Sequence, residues 1–99
     1  MSDRCFVYIF ETLGGLFCKI GVSSDPVSRL ESVRTGCPFY LGLAYQFEVP
    51  SRRLAEAVER AAHKRLQEYR ESGEWFSVPS DLCVEPIEEA IDSLLGALP

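Results

Sequence analysis

Two basic side chains stand ten residues apart in the stretch CKIGVSSDPVSRL, residues 18–30. Lys19 comes shortly before a glycine, Gly21, and Arg29 follows the turn sequence SSDP. An arginine can donate two parallel hydrogen bonds to a phosphate, and a lysine can add a point charge beside it. The two residues are therefore either ordinary surface charges or two cations that converge on an anionic ligand.

The segment before these cations has the pattern of a β-hairpin. Two β-rich runs, residues 5–11 and 16–22, flank the sequence TLGG. Gly14 and Gly15 can supply the positive φ angles that a tight hairpin turn requires. The sequence therefore predicts two antiparallel strands joined at this pair of glycines.

A hairpin centred there pairs Tyr8 with Gly21 and Phe10 with Lys19, so that these four residues share one face of the sheet. The glycine would leave open space over the sheet opposite the Tyr8 ring. The simpler alternative is that Tyr8 is an ordinary sheet aromatic and that the Lys19 side chain extends to solvent.

A predicted helix over residues 51–70 carries Glu59 and His63, which are neighbours at a spacing of four residues and flank its apolar stripe. Glu59 could be a hard oxygen ligand for Mg²⁺, and His63 a neutral base or a phosphate donor. Alternatively, the two are a hydrogen-bonded pair on a solvated shoulder. Glu74, in the sequence GEWF, could cap the same site or pair with a nearby arginine.

The remaining patterns give the order β-β-α-β-α-(β)-α. Asp25 and Pro26 are typical of an N-cap and a first helical position. Further elements are predicted at residues 39–49 (strand), 74–78 (short extended segment) and 83–96 (helix). This order predicts an α/β (α+β) fold with a small three-stranded antiparallel sheet flanked by helices.

Several of these motifs together resemble the GIY-YIG nuclease superfamily, in particular the phage-type branch whose second motif is KIG. The first motif is VYI at residues 7–9, and KIGVSSDPVSRL, ERAAH and GEWF follow in the family's order. The resemblance covers about residues 5–78. Lys19 stands where the family usually has its second tyrosine, which replaces a phenolic hydroxyl by a cation.

The resemblance implies a DNA endonuclease that hydrolyses a phosphodiester with one divalent metal ion, Mg²⁺ or Mn²⁺. It implies a metal ligand at Glu59 and makes DNA the expected partner. The residues assigned to catalysis are Tyr8, Lys19, Arg29 and His63, and those assigned to substrate binding are Gly21, Arg34 and Glu74.

The proton acceptor for the attacking water has two candidates, Tyr8 and His63. A phenol with its ordinary pKa near 10 is a poor base. The neighbouring cations Lys19 and Arg29 are expected to lower the pKa of Tyr8, which would make it a better one. The residue types leave the choice open.

Composition limits the class of protein. The 99 residues, 46% of them hydrophobic, suit one domain, and we expect it to span residues 1–99 with an acidic C-terminal helix. The net charge is −5, and residues 80–99 contain five acidic residues and no Lys or Arg, so ten charges of each sign remain. Sequence-independent attraction to nucleic acid should therefore be weak.

No apolar run approaches the roughly 20 residues of a membrane span, and the N-terminus has no signal-peptide cleavage pattern. We therefore expect a cytoplasmic protein with four reduced, mostly buried cysteines.

Two other functions fit the same residues. The first is a nucleic-acid-binding module that is catalytically weak or inactive. The second is an assembly subunit that docks a protein partner, or a second copy, through its amphipathic C-terminal helix.

Overall fold

The computed structural model describes residues 4–37 and 39–96, which form an α+β fold as the sequence predicts. Its strands and helices in chain order are β1 (Cys5–Thr12), β2 (Cys18–Ser23), α1 (Pro26–Thr35), β3 (Leu41–Val49), α2 (Arg52–Arg65), β4 (Arg70–Ser72), β5 (Trp75–Phe76) and α3 (Asp81–Gly96). A 3-10 turn over Gln67–Tyr69 links α2 to β4.

Within the described residues the strands form one antiparallel sheet in the order β3-β1-β2-β5-β4. The predicted hairpin register is confirmed: Tyr8 faces Gly21 and Phe10 faces Lys19. Gly14 and Gly15 have φ angles of 88° and 70°, which is the left-handed conformation that the turn requires. The turn therefore fixes which residues meet across β1 and β2.

The two faces of the sheet bury different side chains. The face formed by Val7, Ile9 and Ile20 packs against α2 and α3 in the main core. The opposite face carries Tyr8 and Phe10, whose rings stack with centroids 4.0 Å apart. This second face packs against α1 in a smaller core.

Helix α1 begins as the sequence predicts. The Asp25 carboxylate accepts hydrogen bonds from the Ser28 backbone N–H and hydroxyl, and Pro26 occupies the first turn. Leu30 is buried against the small core. This anchoring sets the direction in which the neighbouring Arg29 leaves the helix.

The predicted strand count and three predicted boundaries are wrong. In the described part of the chain the sheet has five strands and not three, because residues 70–76 form a second hairpin on the edge of β2. Helix α2 ends at Arg65 and not near residue 70, and Tyr69, which the predicted helix includes, is 41% exposed. Strand β3 begins at Leu41, two residues late, and α3 begins at Asp81, two residues early.

The apolar face of helix α3 packs against the core of the domain. Cys83 and Ile87 are buried, and Ile91 and Leu94 pack partly buried against the same core. The Sγ of Cys83 lies 3.2 Å from the Sγ of Cys18 in β2. The face that could have docked a partner is therefore occupied by the sheet and α2.

In the stretches of chain that the structure describes, no helix is both long enough and apolar enough to cross a membrane.

Candidate functional site

The site lies at the edge of β2, at the point where its pairing with β5 stops. The register pairs Lys19 with Trp75. One residue later the Ile20 N–H donates to the backbone carbonyl of Glu74 at 3.0 Å. The Ile20 carbonyl accepts from the Nε2 of His63 on α2, also at 3.0 Å. A loop residue and a helix residue thus replace strand pairing here, which brings their side chains to the sheet edge.

Lys19 and Glu74 form the central ion pair of the site. The Lys19 Nζ donates to Glu74 Oε1 at 2.7 Å, and the lysine side chain is only 16% exposed. The sequence left open whether Glu74 caps the site or pairs with an arginine. It pairs with a lysine, and this pairing holds it within the cluster.

Glu59 reaches the same cluster from α2. Its protonated carboxyl shares a hydrogen bond with Glu74. Burial, followed by the charge of Glu74 and this hydrogen bond, raises the pKa of Glu59 to about 7, and Lys19 opposes the shift. Two carboxyl groups therefore face each other across the cleft, and one of them is paired with Lys19.

This raised pKa predicts a pH-dependent stability. Between the ordinary value of 4.5 and about 7 the folded protein binds more protons than the unfolded chain, so the free energy of unfolding falls as the pH rises through that window. We expect Glu59→Gln to raise the free energy of unfolding by about 1–2 kcal/mol near pH 8, after allowance for partial exposure. The gain should vanish near pH 4.5.

Urea unfolding at the two pH values measures this effect, and the exposed Glu68→Gln is the matched control. An equal gain for both variants at pH 8, or a gain for Glu59→Gln that does not depend on pH, would contradict the raised pKa.

Tyr8 and Arg29 complete the cleft on the α1 side of the sheet. The Tyr8 side chain is buried and hydrogen-bonds to Arg29, which extends from the exposed side of α1. Burial and then Glu74 raise the pKa of Tyr8 to about 12, and together they outweigh the lowering by Arg29. Arg29 thus lowers the pKa as expected, but desolvation dominates, so the expected net lowering that would make Tyr8 a better base is wrong.

Gly21 provides the space in which these groups meet. A Cβ at this position would overlap the Tyr8 hydroxyl. The added atom would also lie 2.5 Å from Tyr8 Cζ and 2.8 Å from Glu74 Oε1. The phenol and the carboxylate therefore both approach the backbone of β2 at one point. The absence of a side chain at Gly21 is what allows this approach.

His63 adjoins the cluster from α2, where the charges of Glu74 and Lys19 act on its ring. Because a carbonyl can only accept, its Nε2 carries the proton that bonds to Ile20, and Nδ1 keeps the lone pair. Burial lowers the pKa of His63 below its usual value, with the backbone bond to Ile20 opposing. The ring also lies against Phe76, with centroids 5.0 Å apart. The imidazole is thus neutral at pH 7.

Arg34 is placed outside this cluster. Its Nε donates to the Leu41 carbonyl at 2.8 Å, and its guanidinium lies 5.6 Å from the centre of the Tyr40 ring. The substrate-binding role predicted for Arg34 therefore has no support at the charged cleft. The structure brings the other predicted residues together: Tyr8, Lys19, Gly21, Arg29, Glu59, His63 and Glu74.

The donor set suits a hard divalent cation. Glu59 and Glu74 present carboxylate oxygens whose mutual repulsion a cation would relieve. Within residues 4–37 and 39–96, no three His, Cys, Asp or Glu side chains are grouped to hold a metal ion. An ion held by one or two carboxylates must complete its coordination shell with water and substrate oxygens. Mg²⁺ typically binds to proteins in this way. The residues present therefore fit Mg²⁺ or Mn²⁺.

Sequence reasoning missed two features of the site. It did not predict that Glu74 faces Glu59, and it gave no role to Trp75. The ring of Trp75 lies beside Lys19, with Nζ 5.9 Å from the ring centre. Both residues belong to the short GEWF segment, which the sequence shows. Their position could be predicted only if the strand that pairs with this segment were known.

The fold and the cleft define a small α+β domain with cations and paired carboxylates at one sheet edge. The T5orf172 domain matches residues 5–94, and the chain belongs to this family. Membership indicates a nuclease-like or nucleic-acid-binding module. Neither a curated protein nor a solved structure matches the chain.

Proposed function

We propose that this protein is a metal-dependent DNA endonuclease of the GIY-YIG type that hydrolyses phosphodiester bonds. The observation that carries the proposal is one cluster in which a phenol and a carboxylate meet at Gly21, with two cations and a second carboxyl group in contact with them. They come from β1, β2, α1, α2 and the loop before β5.

Arg29 and Lys19 supply the positive charge that the reaction needs. Attack on a phosphodiester builds negative charge on the non-bridging oxygens, and a guanidinium can donate to two of them at once. Arg29 is exposed and hydrogen-bonded to Tyr8, so its guanidinium lies at the solvent-facing side of the cleft. Lys19 is more deeply placed and holds Glu74 in position.

The protonation states distinguish the two candidate bases. Tyr8, with its raised pKa, remains a hydrogen-bond donor at neutral pH and can orient the water or the phosphate. His63 is neutral and keeps a lone pair on Nδ1. We therefore assign proton acceptance to His63, whose tether to Ile20 fixes its tautomer.

Glu59, with Glu74 beside it, would hold the divalent cation. A bound Mg²⁺ or Mn²⁺ supplies Lewis-acid stabilisation of the charge that develops on the phosphate and the leaving oxygen. Deprotonation of Glu59 is required for this role, so cation binding should strengthen as the pH rises past about 7.

A second function, nucleic-acid binding without turnover, is favoured by one observation. Lys19 occupies a position where the family usually has a tyrosine, and its ion pair neutralises Glu74. A cleft in which a lysine competes for a carboxylate binds a cation more weakly. In that case the same residues would bind a phosphate of the DNA without cleaving the strand.

A plasmid-nicking assay with Mg²⁺, Mn²⁺ or EDTA tests the proposal, and Arg29→Ala is its most direct variant. Loss of the guanidinium should lower the nicking rate by about 10²- to 10³-fold, since a fixed donor to the developing charge is removed. Arg53→Ala removes the same charge from an exposed position on α2 and should have little effect.

Metal-dependent nicking by the wild type that Arg29→Ala abolishes supports the endonuclease. DNA binding with no nicking in any metal supports the binding module instead. Equal rates for Arg29→Ala and Arg53→Ala would overturn the placement of the phosphate.

A further inference from the structure

An apolar groove lies beside the charged cleft, and the reaction described above does not use it. Its volume is about 480 Å³, and its wall includes Thr12, Phe17, Val33, Cys37, Phe39 and Trp75. A second hollow of about 410 Å³ shares Thr12, Phe17 and Phe39 with it. Phe39 is 68% exposed and Phe17 41% exposed, so both rings present a face to solvent.

The groove is continuous with the cleft through β2 and β5. Phe17 lies immediately before β2, two residues from Lys19, and lines the groove together with Trp75. Trp75 pairs with Lys19 across the strands and lies beneath its ammonium group. One tryptophan ring therefore borders both the aromatic groove and the cationic cleft.

We propose that this groove accepts an unpaired nucleobase of the same DNA strand whose phosphate binds at Lys19 and Arg29. The inference rests on the proposed function. It adds a substrate class: single-stranded, frayed or branched DNA in which a base is free to leave the helix.

Charge and shape favour a base as the occupant. Aromatic side chains stack on the flat face of any base, and each such contact contributes about 1–3 kcal/mol. A nucleotide carries its base and its phosphate on one sugar, which matches an aromatic groove directly beside a cationic cleft. Arg34, stacked near Tyr40, adds a cation on the side where the neighbouring phosphate of the strand would pass.

Base pairing would prevent this contact. In a continuous duplex the faces of each base are covered by its stacked neighbours, so the aromatic rings have nothing to stack on without extrusion of the base. The groove should therefore add affinity for unpaired DNA and none for intact duplex.

The protein contains a single tryptophan, Trp75, and its fluorescence reports directly on the groove. In EDTA, the protein is titrated with a single strand of about 12 nucleotides, with the same strand carrying abasic sites, and with the duplex. We expect the base-bearing single strand to quench the fluorescence. The abasic strand and the duplex should quench it little.

Phe39→Ala tests the stacking contact, and Tyr45→Ala is its control because Tyr45 is an aromatic residue, 39% exposed, that stacks on Phe47 away from the groove. Phe39→Ala should weaken binding of the single strand by about 5- to 100-fold and leave the duplex and abasic strands unchanged. Tyr45→Ala should change none of them. Phe39 is mostly exposed, so its truncation should not disturb folding.

The outcomes separate the two proposals. If duplex binds and is nicked, but Phe39→Ala behaves like Tyr45→Ala on every strand, the base groove is wrong and the endonuclease stands. If the abasic strand quenches Trp75 as strongly as the intact strand, the groove is likewise wrong. If no form of DNA binds, the proposed function fails, and the inference fails with it.

Discussion

Glu59→Ala should lower Mg²⁺-dependent plasmid nicking by at least about 10³-fold, which corresponds to roughly 4 kcal/mol of lost transition-state stabilisation. Glu59 is the carboxyl group that faces Glu74 from α2, and under the proposed function it is the main ligand of the metal ion. Without it Glu74 remains, but Lys19 already neutralises that group. The expected loss is therefore nearly complete and should not be restored by more metal.

The matched control is Glu56→Ala, one turn earlier on the same helix and exposed to solvent. It should retain nicking within a few-fold. A thermal melt distinguishes loss of chemistry from loss of folding, because removal of a carboxyl with a raised pKa should not destabilise the protein at neutral pH. Nicking that survives in Glu59→Ala would show that the metal is held elsewhere.

Gly21→Ala should nearly abolish activity with a change of one methyl group. The added Cβ would overlap the Tyr8 hydroxyl and crowd Glu74, and Tyr8 cannot swing aside freely because its ring is buried and stacked on Phe10. Overpacking of this kind costs about 1–3 kcal/mol of stability. Displacement of the phenol and the carboxylate should lower the nicking rate by about 10²-fold.

Gly36→Ala is the matched control, because a Cβ at Gly36 meets nothing within 4 Å and its φ is negative. Gly36 lines the apolar groove, so the comparison is made on intact duplex plasmid, which the groove is not expected to bind. It should leave both nicking and the melting temperature almost unchanged. If Gly21→Ala were as active and as stable as Gly36→Ala, then Tyr8 and Glu74 would not need their close approach to β2.

The first half of the site could be predicted from the sequence because it depends on local signals. The Gly14-Gly15 turn sets the hairpin register, and the register places Tyr8 opposite Gly21 and Phe10 opposite Lys19. The Asp25 cap and Pro26 fix where α1 starts, which in turn places Arg29. Each of these signals acts within a few residues, so composition and spacing were sufficient.

The second half depends on contacts between distant parts of the chain. Glu74 meets Lys19 across 55 residues, and the hairpin that carries it has strands of three and two residues. Strands this short have no readable alternation, so the sequence could not pair β5 with β2 or place Trp75. Helix α2 also ends at Arg65, five residues before the predicted boundary, and a 3-10 turn leads from it into this hairpin.

The pKa of Tyr8 was predicted in the wrong direction for a related reason. The sequence shows which charges are near a phenol, but not how deeply the phenol is buried. Desolvation is the largest contribution at Tyr8, and the nearby Glu74 adds to it. The sequence also did not show that Arg34 would donate a hydrogen bond to the Leu41 carbonyl, which holds its side chain outside the charged cleft.

The β4–β5 hairpin has a consequence for synthesis of the protein. A ribosome makes Tyr8, Lys19 and Arg29 early, but Glu74 emerges only after about three quarters of the chain, on a turn where Gly73 has a φ of 55°. Until then Lys19 lacks its counterion and Glu59 lacks its facing carboxyl group. A nascent or truncated chain that ends before Glu74 therefore lacks both of these contacts. Under the proposed function, such a chain would not cut DNA, and activity would appear only once the fold is nearly complete.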